Sequence, residues 1–384
     1  MPMTKARITI VGGGIGGLTA AIALSRQGFA VTLLEAAPVF AEIGAGVTLS
    51  PNAMKGYVYL GLAEQIAAAG VEPARQRIQH WQDGRLLRAI DRCDMRARFG
   101  APYVYIHRAD LHAILVAAAQ TAGCRLLTNA GVVAVEGTSA VLHDGRRIDG
   151  DLVVGADGLK SVVRRLFEPV SAHFTGHVAW RALAPVEGAL KELVDWPGMH
   201  IGPNRMVVRY PVRGAKIINM VFFARQDGWT QDGWTIPAER SDLETTFAGW
   251  APEVQTMIAA VPEGKVYKWA INARRPLDTW VLDDKVVLLG DAAHAMTPFM
   301  GQGAACAIED AIILSRALGD SASTGEALRR YVAARHERAT FIQLESNANA
   351  DRMQAANTEL FGIEGLRNED TLGLLDYDCC TVPV

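Results

Sequence analysis

Three acidic residues far apart in the chain, Glu35, Asp157 and Asp291, each stand where an apolar run ends, and each has glycine nearby. Gly12, Gly14 and Gly17 form Gly-x-Gly-x-x-Gly directly after the run from Ile8 to Val11, and Glu35 closes the next such run. In a strand–turn–helix unit these glycines permit a tight turn, backbone approach to a pyrophosphate, and close packing of helix on strand. The helix N-terminus beyond them offers free N–H groups and a positive dipole end to the phosphates. Glu35 is placed to accept hydrogen bonds from ribose hydroxyls. Asp157-Gly158 follows the run from Leu152 to Gly155, and Gly290-Asp291 follows Val286 to Leu289. The first unit alone does not separate FAD from NAD; joined to two later strand–Gly/Asp turns, it points to bound FAD.

Bringing these residues to one crevice requires a doubly wound α/β sheet, because ligands of open parallel sheets lie beyond the carboxyl ends of the strands. Gly14 to about Gln27 reads as a helix whose small residues Gly17, Ala20, Ala21 and Ala23 allow close packing, with Gly28 at its C-cap. Continuous apolar runs at 152–155 and 286–289 suit strands buried on both faces. Helices are expected from Asp110 to about Ala122, from Ala304 to Leu318, and from Ser323 or Thr324 past Arg338. Hairpin signals surround Asp83-Gly84 and Asp144-Gly145. Between Phe174 and Trp269 the strand-like runs 174–183, 206–212 and 216–223 lack βαβ alternation. The expected architecture is an α/β, Rossmann-like FAD-binding domain (1–74, 101–172 and 276–320). A mostly antiparallel β substrate domain (the 75–100 hairpin and 173–275) is inserted into it, and a C-terminal helical region (321–384) follows.

Half of the 384 residues are hydrophobic and 21% are charged, the balance of an ordinary globular enzyme. A net charge of −3 gives no electrostatic reason to expect a nucleic-acid or anionic-membrane partner. Cys93, Cys124, Cys306, Cys379 and Cys380 show no Cys-x-x-Cys spacing and read as reduced thiols. No apolar run approaches the ~20 residues of a membrane span, and a cleavable leader would remove the first strand. The cytoplasm is the expected location. His107 and His112, five apart, fall on different helical faces, so no metal site is expected. There is no Gly-x-Ser-x-Gly nucleophile turn. The basic run from Arg75 to Arg98 crosses a hairpin and reads as a solvated face.

The three motifs do not stand alone. With Gly44-Ala45-Gly46-Val47, Pro51-Asn52-Ala53, His107-Arg108-Ala109-Asp110-Leu111 and the closing Asp376-Tyr377-Asp378, the chain resembles the class A single-component flavoprotein monooxygenases along essentially its whole length. The similarity is greatest to salicylate, 3-hydroxybenzoate and 6-hydroxynicotinate hydroxylases. The resemblance implies that Gly12, Gly14, Gly17, Glu35, Ala36, Arg108 and Asp291 hold FAD. Asp157 and Gly158 would serve both FAD and a passing nicotinamide nucleotide, NADH or NADPH. The segment from Pro298 to Ala305 resembles the loop lying against the isoalloxazine, which adds Gly303 and Ala304; a helix starting there would favour an anionic reduced flavin. The implied reaction uses O2, through a flavin hydroperoxide, to hydroxylate a small aromatic such as a hydroxylated benzoate or pyridine carboxylate. A homodimer is one assembly this allows.

The substrate half departs from that pattern. Alternation along 205–212 puts Arg205, Val207 and Arg209 on one face and Met206, Val208 and Tyr210 on the other. The resemblance implies His and Tyr where Arg205 and Arg209 stand, and His where Thr48 and Phe299 stand. Thr48, Arg205, Val207, Arg209 and Phe299 are the candidate pocket residues. Arg209 either clamps a substrate carboxylate or serves the structure. The catalytic candidates are Arg209, His294 and Pro298; His294 is either an acid–base group or a positioned turn residue. The base for a ring hydroxyl is not identified. A flavin-dependent dehydrogenase or halogenase and a non-catalytic FAD-binding protein stand as alternatives, though Trp180, Trp196, Trp269 and Trp280 form no Trp-x-Trp-x-Ile signature.

Overall fold

Register explains how the three motifs meet. In the computed structural model, which describes residues 6–40, 44–229, 231, 233, 235–355 and 367–384, the strand Arg7–Val11 lies between Ala30–Leu34 and Leu152–Gly155. It is parallel to both. Val286–Leu288 adds beyond Leu152–Gly155 and Arg125–Leu127 beyond Ala30–Leu34, again parallel; Val281–Leu282 closes one edge antiparallel. Val11 pairs in register with Leu34 and Gly155, and Gly155 with Leu288. The turns that follow these strands therefore emerge side by side at one sheet end.

The first helix, Ile15–Arg26, is buried from Ile15 to Leu24 because it is packed between the sheet and the helices Arg108–Thr121 and Gly303–Gly319. Gly17 makes this approach possible, since an added Cβ would stand 2.0 Å from the Gly12 carbonyl oxygen. Leu152–Gly155 is buried throughout, as a central parallel strand covered on both faces must be.

The second layer is an eight-stranded sheet, ordered Ile236–Ala238, Val266–Ala273, His173–Pro185, Ile217–Arg225, Arg205–Val212, Gly198–Gly202, Arg75–His80 and Leu86–Asp91. Every neighbouring pair is antiparallel except Gly198–Gly202 with Arg75–His80. One face packs on short helices through Val178, Trp180, Val207, Met220 and Phe222 against Leu243, Phe247 and Val254. Burying Phe222 and Phe247, whose rings lie 5.4 Å apart, contributes on the order of 2–3 kcal/mol each. The other face turns toward Phe299, Ala350 and Met353. This second face borders the nucleotide layer.

The helix Thr324–Met353 starts at Ser323, whose hydroxyl accepts from the Glu326 N–H at 3.3 Å, half of a capping box. Beyond it, residues 367–384 form no further α-helix and only a short 3-10 turn at Leu374–Asp376. The expected solvated face from Arg75 to Arg98 holds for Arg75, Arg85, Arg88, Arg96 and Arg98, which are exposed, and fails at Arg92. Arg75 and Arg77 stack on the Trp196 ring at 3.3 and 3.1 Å. Arg92 is buried and paired with Glu369 at 2.7 Å and Asp370 at 2.5 Å. Acidic partners distant in sequence draw Arg92 out of water.

Candidate active site

A cleft of about 520 Å³ opens at the end of the parallel strands and is lined by Gly12, Gly14, Glu35, Ala36, Arg108, Asp157 and Gly158, among others. Each of its glycines has its own physical reason. Gly12 has φ +106°, and a Cβ there would lie 2.4 Å from the Ala156 carbonyl oxygen. Gly14 differs, because a Cβ on it would meet no protein atom within 4 Å. Gly14 caps the Ile15–Arg26 helix without any side-chain hydrogen bond, so the first N–H groups of that helix face open space. Glu35 accepts from the N–H groups of Gly13 and Ala37, both at 2.8 Å. His112 reaches the Gly13 carbonyl at 2.8 Å and holds the turn from its other side.

Asp157 directs its carboxylate into its own turn. It accepts from the Ser161 hydroxyl at 2.5 Å and from the N–H groups of Val162 and Val163 at 2.7 and 3.2 Å. Burial pushes its pKa up, and these donors oppose the shift. Asp291 is the reverse case. It forms no hydrogen bond or ion pair with any described residue, and its side chain is exposed although neighbouring protein crowds it. Burial raises its pKa against the pull of His294 and Arg108. Gly303 opens the next helix close by, its would-be Cβ 4.0 Å from Asp291 Oδ1, and Ala304 follows it. An uncapped helix N-terminus, an open space before Gly14 and an unpartnered carboxylate fit a pyrophosphate and a polyhydroxyl chain, the polar parts of FAD.

The loop before Gly303 rests on a buried network. Asn52 Nδ2 donates to Gln302 Oε1 at 3.0 Å and to Glu309 Oε1 at 2.7 Å, and Gln302 Nε2 donates to Ser50 Oγ at 3.2 Å. Glu309 pairs with Arg335 at 2.6 Å and Arg338 at 3.0 Å. Burial acts to raise the Glu309 pKa, but the two arginines outweigh it and hold the carboxyl below its usual range. His294 belongs to this network: it is 1% exposed and its Nε2 lies 2.6 Å from Asp310 Oδ2. Its geometry is that of a positioned turn residue. Pro298 opens the 3-10 turn Pro298–Met300 and is exposed. Phe299 is 4% exposed, with its ring 5.2 Å from Phe223 and 5.3 Å from His177.

The strand Arg205–Val212 turns the candidate pocket residues Val207 and Arg209 away from Phe299. Val207 and Arg209 point to the sheet side packed on the short helices. Arg209 is 1% exposed and donates to Gln79 Oε1 at 2.7 Å, with His200 Nδ1 at 3.2 Å. Burial lowers its pKa to about 10. By alternation Arg205 shares that side. Met206, Val208 and Tyr210 are the residues that look toward Phe299 and Thr48.

That side contains the groups the sequence did not single out. Ala179, Phe223, Met206 and Ile201 form one cross-strand row and are buried. In the adjacent row Asn219 and Tyr210 are buried; Asn219 accepts from the Gly46 N–H at 2.8 Å, and the Tyr105 ring stacks on Tyr210 at 4.6 Å. Between them runs the row Arg181, Val221, Val208 and Met199, half-exposed throughout although it crosses the middle of the sheet. This row is left partly open where the rows on either side hold buried residues. Thr48 lies beside the Tyr210 hydroxyl. Gly46 offered the one available signal: a Cβ there would lie 2.3 Å from the Tyr210 ring.

Comparison with known proteins agrees with this geometry. A family model described as FAD binding domain matches residues 5–345. The chain is 36% identical over 382 residues to 3-hydroxybenzoate 6-hydroxylase 1 of Aquipseudomonas alcaligenes, covering 97% of this chain and 94% of that protein. It is 36% identical over 360 residues to 6-hydroxynicotinate 3-monooxygenase of Bordetella bronchiseptica, covering 90% and 91%. The structure of Klebsiella pneumoniae HpxO with FAD and uric acid superposes with a TM-score of 0.82 at 27% identity, covering 98% of this chain and 96% of that one.

Proposed function

The chain belongs to the FAD binding domain family, among its flavoprotein hydroxylases, and from that premise we propose that it hydroxylates a small aromatic ring with O2 and NADH or NADPH. The observation that carries this reading is the half-exposed row Arg181, Val221, Val208 and Met199 beside the loop that leads to Gly303. FAD, when bound and reduced by the nicotinamide nucleotide, supplies the electrons and the activated oxygen. Gly12, Gly14, Gly17, Glu35, Ala36, Arg108, Asp157, Gly158, Asp291, Gly303 and Ala304 would hold it.

The chain's own side chains do the rest. Val208 and Val221 give a flat ring an apolar seat, and Phe299 closes one side and keeps water out. Burial pushes the Tyr210 phenol well above its ordinary pKa, so its hydroxyl stays protonated and can donate a hydrogen bond to a ring substituent. Thr48 orients that hydroxyl. Hydroxylated benzoates and pyridine carboxylates are the substrate class, with Arg181 the cation at one end of the floor. The five free cysteines support a cytoplasmic location, and no helix among the described residues is long and apolar enough to cross a membrane.

The test is a panel of these acids, with matching phenols that lack the carboxylate, added to the FAD-loaded protein. A true substrate accelerates NADH or NADPH oxidation and gives a product carrying one oxygen atom from labelled O2. Unchanged oxidation with every compound, or peroxide as the only product, rejects the hydroxylase reading.

A further inference from the structure

We propose that Asp378, Cys379 and Cys380 form a binding site for a thiophilic divalent cation of the Zn2+ type, set in the C-terminal segment and apart from the flavin cleft. One carboxylate oxygen and two sulfurs lie within 4.8 Å of one another. The two Sγ atoms are 3.9 Å apart. A tetrahedral zinc ion with Zn–S bonds of ~2.3 Å spans about 3.8 Å between two sulfurs. The thiols therefore already stand at chelating distance, and thiolate ligands favour such an ion over hard cations.

The backbone is braced to keep them there. Cys380 N–H donates to Asp378 Oδ1 at 2.9 Å, and the N–H groups of Thr381 and Val382 donate to the Asp378 carbonyl at 3.2 and 3.1 Å. Arg316 donates to the carbonyls of Cys379 and Val382 at 2.8 and 2.9 Å. Lys55 donates to the carbonyls of Leu375, Asp376 and Tyr377. A braced chelate loses little freedom on closing. Cys379 is buried while Asp378 and Cys380 are half-buried, so the ion enters from the solvent side and leaves its fourth position to water. Both thiols give up their protons as the two metal–sulfur bonds form, with no change of oxidation state.

Because the segment bridges the helices Pro51–Tyr59 and Gly303–Gly319 through Lys55 and Arg316, an ion here would tie both to the chain's end. The experiment titrates the reduced, FAD-loaded full chain with Cd2+ and follows the ultraviolet thiolate-to-cadmium charge-transfer band. The expected result is one Cd2+ per chain, displaced by Zn2+, with the band lost in Cys380→Ser, weakened in Asp378→Asn and unchanged in Cys93→Ser. Alkylation of the unmutated chain gives an independent readout: Cd2+ should shield Cys380 and leave Cys93 reactive. Absence of a stoichiometric band, a band that survives Cys380→Ser, or equal alkylation of Cys380 with and without Cd2+ would overturn the site.

Discussion

Replacing Asp310 by asparagine tests whether the buried network beneath the third nucleotide turn holds that turn in place. Asp310 is fully buried and accepts from the Gly290 N–H at 2.9 Å, from His294 Nε2 at 2.6 Å and from Arg335 Nε at 2.8 Å. Burial acts to raise its pKa, but His294 and Arg335 prevail and bring it down to about 2. Against ~3.9 in an unfolded chain, the depressed value is worth roughly 2–3 kcal/mol of folding free energy. Because the folded pKa is the lower one, this contribution is complete above about pH 5 and is lost as pH falls through 2. Asparagine removes it at every pH and adds a mismatch, since all three neighbours are donors and the new NH2 group has none to receive it. An unsatisfied buried donor costs about 1–3 kcal/mol. The total, on the order of 4 kcal/mol, lies within the roughly 3–5 kcal/mol of a broken buried pair. Urea unfolding at pH 7 should show that loss, and the acid limb below pH 4 should flatten in the variant. FAD should also dissociate more readily, because the Gly290 bond anchors the residue before Asp291. A stability loss under about 1 kcal/mol, with an unchanged acid limb, would refute the reasoning.

Glycine substitutions should separate cofactor space from chain packing. Gly14→Val, whose side chain meets no protein atom near its Cβ, should weaken FAD binding with little change in apoprotein unfolding; Gly17→Ala, 2.0 Å from a carbonyl oxygen, should destabilise the fold by about 1–3 kcal/mol. Asp291→Ala should lower flavin content after gel filtration, and full flavin retention would remove Asp291 from the cofactor contacts. Arg209→Gln should leave the substrate KM unchanged and lower the melting temperature, because its partners Gln79 and His200 lie across the sheet from the pocket. Val208→Phe should raise KM by roughly 10- to 200-fold without loss of FAD, and unchanged kinetics would remove the floor assignment.

The cofactor half was legible because its demands are local. A βαβ unit needs its glycines at fixed offsets, and parallel strands buried on both faces need continuous apolar runs, so Ile8 to Val11, Leu152 to Gly155 and Val286 to Leu289 announce themselves. Partnerships across hundreds of residues were not legible. Arg92 with Glu369, or Asn52 with Glu309, leave no mark at either position. A buried arginine and a solvated one are the same letter until the partner is placed.

The substrate half was less legible for a different reason. Alternation along Arg205–Val212 correctly sorts its residues into two faces, but period two assigns no face to a ligand when both are covered. Polarity then misleads: arginine suggests a carboxylate clamp, yet Arg209 is spent on Gln79 and His200 beneath the sheet. The proposed floor is marked instead by an anomaly of burial. Val208 and Val221, apolar and central in an eight-stranded sheet, are left half-exposed, and no sequence pattern distinguishes them from the buried Met206 and Phe223 beside them. The neighbouring rows are covered by Phe299 on one side and by Gly46 with Tyr105 on the other. On the proposed floor, substrate choice would be set by loops and strands from the nucleotide layer as much as by the sheet itself. Exchanging the sheet face alone with that of a relative should not transfer specificity; Thr48 and Phe299 would have to move with it.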